Sequence, residues 1–141
     1  MKRKGSAVWQ GGLRDGKGTV STDSGTLSNV PYSFSKRFEE EKGTNPEELV
    51  AAAHASCFAM ATSAQLGNAG ITAERISASA TVTLEKVGDA FAVTTSNLEM
   101  SIRAPGADRS KVQTAAENAK AGCPISKLLN AKITLNLTIE N

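Results

Sequence analysis

Reactive side chains are scarce in this sequence. It holds two cysteines, one histidine, one tryptophan and one tyrosine. Two Cys and one His at their spacing do not make a zinc site. Lys/Arg runs stop at Lys2-Arg3-Lys4, and the formal net charge is only +2. That field is too weak to argue for nucleic acid or an anionic membrane as partner. No apolar segment follows the basic start 1–12, so it does not read as a signal peptide. The glycine-rich run Gly11–Gly18 lacks the Gly-Lys-Ser/Thr ending of a phosphate loop and reads as a hairpin connection. Flavin and nicotinamide motifs are absent, and no cofactor is expected. The longest apolar stretch, Leu49–Leu66, is mostly alanine and contains His54, Ser56, Thr62, Ser63 and Gln65. It reads as a buried helix rather than a membrane span. The chain is expected to be cytoplasmic, where thiols stay reduced, so a structural disulfide is not expected.

What is present suits one domain over residues 1–141, with 40% apolar residues to build a core. Glycine-rich turns separate β segments around residues 6–10, 18–22 and 30–39. In the third segment Val30, Tyr32, Phe34, Lys36 and Phe38 share one face, and Arg37 projects from the other. A helix follows, with Asn45 as N-cap, Pro46 at the first position and Glu47 and Glu48 in the first turn. It runs to about Leu66, with Gly67 as C′ residue, and being apolar almost all round it should be covered on several sides. Ile76 to Glu85 alternates as a strand, Gly88-Asp89 reads as a hairpin turn, and the return strand slips phase near Thr95–Asn97, which predicts a bulge. Ala107–Lys120 and Pro124–Leu129 read as helices, and Ile133, Leu135, Leu137 and Ile139 mark a last strand. The order βββ-α-ββ-αα-β predicts an α+β fold with largely antiparallel sheets and a long central helix.

Each reactive residue has a plain role and a chemical one. A cysteine in an apolar helix, such as Cys57, is ordinarily a small core hydrophobe, and burial there raises its pKa. A reactive Cys57 would need a cation, and Arg37 is the candidate because it stays charged when desolvated. The ordinary role of Arg37 is an exposed strand residue. Cys123 stands before Pro124 at a helix start, where free N–H groups favour a thiolate; its plain role is a small N-cap residue. Two cysteines, the only pair in the chain, together suggest thiol chemistry. His54 lies three residues before Cys57, so a Cys–His nucleophile pair for acyl transfer or hydrolysis is one reading, and a satisfied core histidine is the commoner one. A thiol redox sensor without turnover is a further alternative.

The stretch Arg37-Phe38-Glu39-Glu40-Glu41-Lys42-Gly43-Thr44-Asn45-Pro46-Glu47-Glu48-Leu49, continuing through Ala52-Ala53-His54-Ala55-Ser56-Cys57-Phe58, closely resembles the OsmC/Ohr family, in its osmotically inducible OsmC branch. Ala119-Lys120-Ala121-Gly122-Cys123-Pro124-Ile125-Ser126 matches its second signature, and the likeness covers essentially the whole chain. The resemblance implies an OsmC-like fold and a cysteine-based peroxidase that prefers organic hydroperoxides to hydrogen peroxide. It implies Cys57 as the peroxidatic cysteine, Cys123 as the resolving one, Arg37 as support for the thiolate and Glu47 as the residue that orients Arg37. It further implies a disulfide intermediate, an external dithiol reductant such as a lipoyl protein, and an intertwined homodimer with active sites at the subunit interface. One geometric expectation follows. Ten residues on one helix set Glu47 about 15 Å along the axis from Cys57, so a site using both should combine Glu47 of one subunit with Cys57 and Cys123 of the other.

Overall fold

The computed structural model describes residues 1–141. The chain runs β1 (Gly5–Gln10), β2 (Lys17–Thr22), β3 (Val30–Tyr32), α1 (Phe34–Phe38), α2 (Pro46–Asn68), β4 (Arg75–Val87), β5 (Ala90–Arg103), α3 (Arg109–Gly122), α4 (Pro124–Leu128) and β6 (Lys132–Glu140). It is an α+β fold of two three-stranded sheets and four helices. Two compact units divide it, Met1–Leu49 and Val50–Asn141.

In the first unit β1, β2 and β3 form an antiparallel sheet. The expected third strand stops at Tyr32, and residues 34–38 coil into α1. Phe34 and Phe38 are four residues apart, a spacing that puts them on one face of either a strand or a helix. Local capping decides: the Ser33 side chain accepts from the Lys36 N–H, which closes the first helical turn. The two phenyl rings then pack 4.9 Å apart, and Arg37 lies beside the aromatics rather than opposite them, its Cζ 5.0 Å from the Phe38 ring centroid.

The start of α2 is as its sequence dictates. Asn45 Oδ1 accepts the Glu48 N–H at 2.8 Å, and Pro46 occupies the first turn, where a missing N–H costs nothing. Its end is later than the sequence suggested. Gly67 stays helical, and Gly70, at φ 75°, is the C′ residue. The Gly70 N–H donates to Gly67 O at 3.0 Å and the Ile71 N–H to Leu66 O at 2.9 Å, the paired bonds of a Schellman ending. Both glycines permit the turn; the second is chosen because Ile71 can then pack against the core.

In the second unit β5 is the middle strand. It pairs antiparallel with β4 across the expected turn, with Gly88 at φ 63°, and parallel with β6. The parallel pair is the one exception in otherwise antiparallel sheets, as the expectation of largely antiparallel pairing allows. The connection through α3 and α4 returns the chain to the starting edge before β6 begins, as a crossover must. A register shift falls where Thr83 faces Thr95 and Leu84 faces Val93, so Thr94 is the extra residue, just ahead of the expected range. Leu98, Met100 and Ile102 project from one face and are buried with Phe58 and Leu66 of α2 and Val112, Ala115, Ala116 and Ala119 of α3. Each large side chain so buried contributes about 1.5–3 kcal/mol. The opposite face carries Ser77, Ser79, Asn97, Glu99, Asn136 and Thr138.

One stripe of α2 is buried, His54, Phe58, Thr62 and Leu66 at every fourth position. Ala53, Ser56, Met60, Ser63 and Ala64 are exposed, Met60 at 76%. A single chain therefore covers this helix on one side, not on several. By length and composition α2 could cross a membrane, with a mean hydropathy of 1.3. Phe58 and Leu66 of its one buried stripe pack with the β5 core.

Candidate dithiol centre

Two local constructions hold the residues singled out above. The first is in the unit Met1–Leu49. Arg37, at the end of α1, reaches Glu47 in the first turn of α2. Nη2 donates to Oε1 at 2.8 Å, and Nε lies 3.2 Å from both carboxylate oxygens. Asn45 ties the two helices together, its Nδ2 donating to Lys36 O at 3.2 Å while its Oδ1 caps α2. Lys36 pairs with Glu41, which also takes the Ser35 hydroxyl, and so secures the intervening loop. The glutamate side chain is only 13% exposed and the arginine 39%. Glu47 is thus the fixed member, and Arg37 keeps a free side. A cleft of about 220 Å³ runs past that side, lined by Trp9, Leu13, Tyr32, Phe34, Arg37 and Phe38.

The second construction is in the unit Val50–Asn141. Cys57 from the middle of α2 and Cys123 from the N-cap of α4 both carry free thiols, and their sulfurs stand 2.7 Å apart. Residues 66 positions apart in sequence have been brought within bonding reach. Access differs sharply. Cys123 is fully buried, and Cys57 is half-buried. So does electrostatics. Burial pushes the Cys57 thiol up, and its hydrogen bond with Cys123 pushes the same way. Burial alone would raise Cys123 too, but its contact with Cys57 and the polar groups of Ser126 and Ile125 beside it outweigh that and leave its pKa lowered. Within this unit the directions of the two shifts favour charge on Cys123 over Cys57.

His54 is a satisfied core residue. It is fully buried, and its Nδ1 and Nε2 lie 2.7 Å from the hydroxyls of Ser96 and Ser126 respectively. Burial lowers its pKa, so the ring stays neutral. With both nitrogens engaged it has no lone pair to spare as a base for Cys57, which removes the basis for the acyl-transfer reading. The sequence reading missed Ser96 and Ser126. Ser96 could have been found as the polar break in the apolar face of β5, and Ser126 by its place one helical turn after Cys123.

A stability prediction follows from the neutral ring. The unfolded chain binds a proton at His54 near pH 6.5, and the folded chain resists it. The stabilisation is complete above about pH 6.5 and is lost as pH falls from there through the folded-state pKa. Denaturant melts at pH 5 and pH 7.5 should show a larger acid loss for the native sequence than for His54→Gln. Equal losses would mean that the ring protonates freely in the fold.

The second unit thus sets two free thiols 2.7 Å apart, one of them at a helix start. Residues 39–138 match the family model described as OsmC-like protein, and the chain belongs to the OsmC family. It is 50% identical over 141 residues to "Peroxiredoxin OsmC" of Escherichia coli strain K12, covering 100% of this chain and 99% of that protein. An "Organic hydroperoxide resistance protein" of Xanthomonas axonopodis pv. citri is 32% identical over 99 residues, 69% of this chain and 67% of that one. Among solved structures, an organic hydroperoxide resistance protein from Elizabethkingia anophelis superposes with a TM-score of 0.74 at 26% identity, over 100% of this chain and 98% of that one.

Proposed function

We propose that this chain is a thiol-dependent peroxidase that reduces organic hydroperoxides, and hydrogen peroxide less well, by way of Cys57 and Cys123. The observation that carries this reading is the sulfur pair itself: two free thiols 2.7 Å apart, of which only Cys57 is open to a substrate. Full-length identity to a peroxiredoxin supports the same class.

The steps balance as follows. The Cys57 thiolate attacks the terminal oxygen of ROOH, the O–O bond breaks, and the alkoxide leaves and takes up a proton as ROH. Cys57 is now a sulfenic acid. Cys123 attacks its sulfur, the S–S bond forms, the S–O bond breaks, and water leaves. An external dithiol, a lipoyl protein or similar, reduces the disulfide by two electrons and is itself oxidised.

The charge order inside one subunit favours Cys123, and a peroxide needs the thiolate on Cys57. A guanidinium beside Cys57 reverses that order, because an opposite charge within about 4–6 Å favours the charged form. Arg37 is built for the task, held by Glu47 with one side free. On an unbroken α2, Glu47 cannot reach the level of Cys57, so the Arg37–Glu47 pair comes from the second subunit of a homodimer. Arg37 travels with Glu47 because the two are paired within one chain. The open face of α2 suits burial against that second copy. The aromatic cleft beside Arg37 suits an alkyl or aryl tail. The chain works as one domain, in the cytoplasm, where dithiol reductants are held reduced.

Steady-state reduction of cumene hydroperoxide with a lipoyl donor tests the reading. Many equivalents per chain, faster than with hydrogen peroxide, are expected. One stoichiometric oxidation followed by silence would make the chain a sensor instead. Cys123→Ser should permit the first oxidation and then stall, with Cys57 advancing to sulfinic acid under excess peroxide, as intact mass would show. A Cys123→Ser protein that turns over at the native rate would remove Cys123 from the cycle.

A further inference from the structure

We infer that His54 is a positioning residue for the resolving thiol: its ring ties the short helix that begins at Cys123 to α2 and β5, and so holds the Cys123 sulfur against Cys57 before any bond joins them. The consequence for turnover rests on the roles proposed above for the two cysteines; the tie itself does not.

The helix α4 has little of its own to hold it in place. It is five residues long, far short of what an isolated helix needs to persist in water. Its one buried residue is Ser126. Pro124, Lys127 and Leu128 are exposed, and Ile125 is only half-buried. A serine buries almost no apolar area, so the hydrophobic effect does little to pin this segment. What pins Ser126 is a polar contact, its hydroxyl lying 2.7 Å from Nε2 of His54. Upstream the situation differs, because α3 is anchored through Val112, Ala115, Ala116 and Ala119. Cys123 is both the C-cap of α3 and the N-cap of α4. Its sulfur is therefore placed from one side by the core contacts of α3 and from the other by the contact at Ser126.

His54 is itself fixed. It is fully buried, and its Nδ1 lies 2.7 Å from the hydroxyl of Ser96 on β5, the middle strand of its sheet. The tie thus runs from the sheet through α2 to α4. It holds whichever ring nitrogen bears the proton, because a hydroxyl can donate to a bare nitrogen and accept from an N–H.

The register of the two helices gives the tie its use. His54 and Cys57 are one turn apart on α2, and Cys123 and Ser126 span the first turn of α4. Two contacts of 2.7 Å therefore join the same pair of elements side by side, His54 to Ser126 and Cys57 to Cys123. The first involves no group that reacts. The second is broken and remade in each cycle. When Cys57 carries an oxygen, the tie at Ser126 still keeps Cys123 within reach. Without it α4 would spend time in positions where the sulfurs do not meet. The rate and the equilibrium constant of disulfide formation then fall with the fraction of time that Cys123 is in place. The spacing His54-x-x-Cys57, which suggested a base beside a nucleophile, instead sets a clamp one turn away from it.

A dithiothreitol redox buffer measures the tie with no peroxide present. The protein dithiol becomes the Cys57–Cys123 disulfide as oxidised dithiothreitol takes up the two electrons and two protons. Ser126→Ala should lower the equilibrium constant for the disulfide roughly tenfold, the scale of one buried hydrogen bond. Ser126→Thr, which keeps the hydroxyl, should restore most of it. His54→Asn places its amide at the level of Nδ1 and loses Ser126, so it should match Ser126→Ala. His54→Gln reaches the level of Nε2 and should restore most of the constant. In the double variant of His54→Asn with Ser126→Ala the loss should be no greater than in either alone, since both break one contact. Unchanged constants in the single variants, or losses that multiply in the double one, would overturn the inference. Where a histidine variant does not fold, Ser126→Ala against Ser126→Thr still decides, and equal constants in that pair would overturn it. Rapid quench after mixing with peroxide should find the first oxidation unaltered in Ser126→Ala and the disulfide forming about tenfold more slowly. A native rate of disulfide formation there would also overturn it. If peroxide does not oxidise Cys57 in the native protein, the peroxidase reading falls, and the redox-buffer equilibrium still judges the tie.

Discussion

Cys57→Ser should abolish hydroperoxide turnover, with a loss on the order of 10³-fold or more, as for removal of any attacking nucleophile. A hydroxyl in place of the thiol is far less acidic and a poorer nucleophile toward peroxide oxygen. The substitution removes little volume from a half-buried position on α2, so the fold should persist with a near-native melt. This separates a lost nucleophile from a lost structure. The comparison with Cys123→Ser gives the test its edge. Cys123 has the lower pKa within one subunit, and on acidity alone it would be the attacking sulfur. It is also fully buried, and Cys57 is not. If access governs, one oxidation event survives in Cys123→Ser and none in Cys57→Ser. The reverse pattern would exchange the two roles.

Arg37→Met is expected to lower turnover about 10²–10³-fold, the usual cost of removing one preorganised charge from the reacting centre. The more telling measurement is a purified heterodimer of an Arg37→Met chain and a Cys57→Ser chain, each with its own tag. If every site takes Arg37 and Glu47 from one subunit and both cysteines from the other, one of the two sites is wholly native and the other carries both lesions. About half the native activity should then return, as two-fold symmetry requires. If each site is built within one chain, both sites are damaged and no activity returns. A lone Glu47→Gln chain should behave like a weaker Arg37→Met. Glu47 holds the guanidinium through Oε1 and Oε2, and the amide keeps one acceptor while losing the charge.

Features set by short-range chemistry were legible in the sequence. Asn45, Pro46 and Glu48 announce the start of α2 because a cap, a missing N–H and an acidic first turn are local needs. Gly88-Asp89 announces its hairpin, and Ile133 to Ile139 announces β6, for the same reason. Where two local readings fitted equally, the sequence alone did not choose. The spacing of Phe34 and Phe38 suits strand and helix alike, and Ser33 tipped it to helix. Gly67 and Gly70 could both end α2, and packing of Ile71 selected the later one. The parallel pairing of β6 with β5 hid in the length of a connection, not in the strand's own pattern.

The motifs around Arg37, Cys57 and Cys123 marked the candidate residues. Tertiary structure decided how they are arranged. Only the fold brings Cys123 against Cys57, turns His54 to Ser96 and Ser126, and joins Arg37 to Glu47. The physical reason is range. Capping, turns and alternation are fixed by neighbours a few residues away, whereas a sulfur's charge and reach depend on burial and on polar groups of α4 that no local pattern encodes.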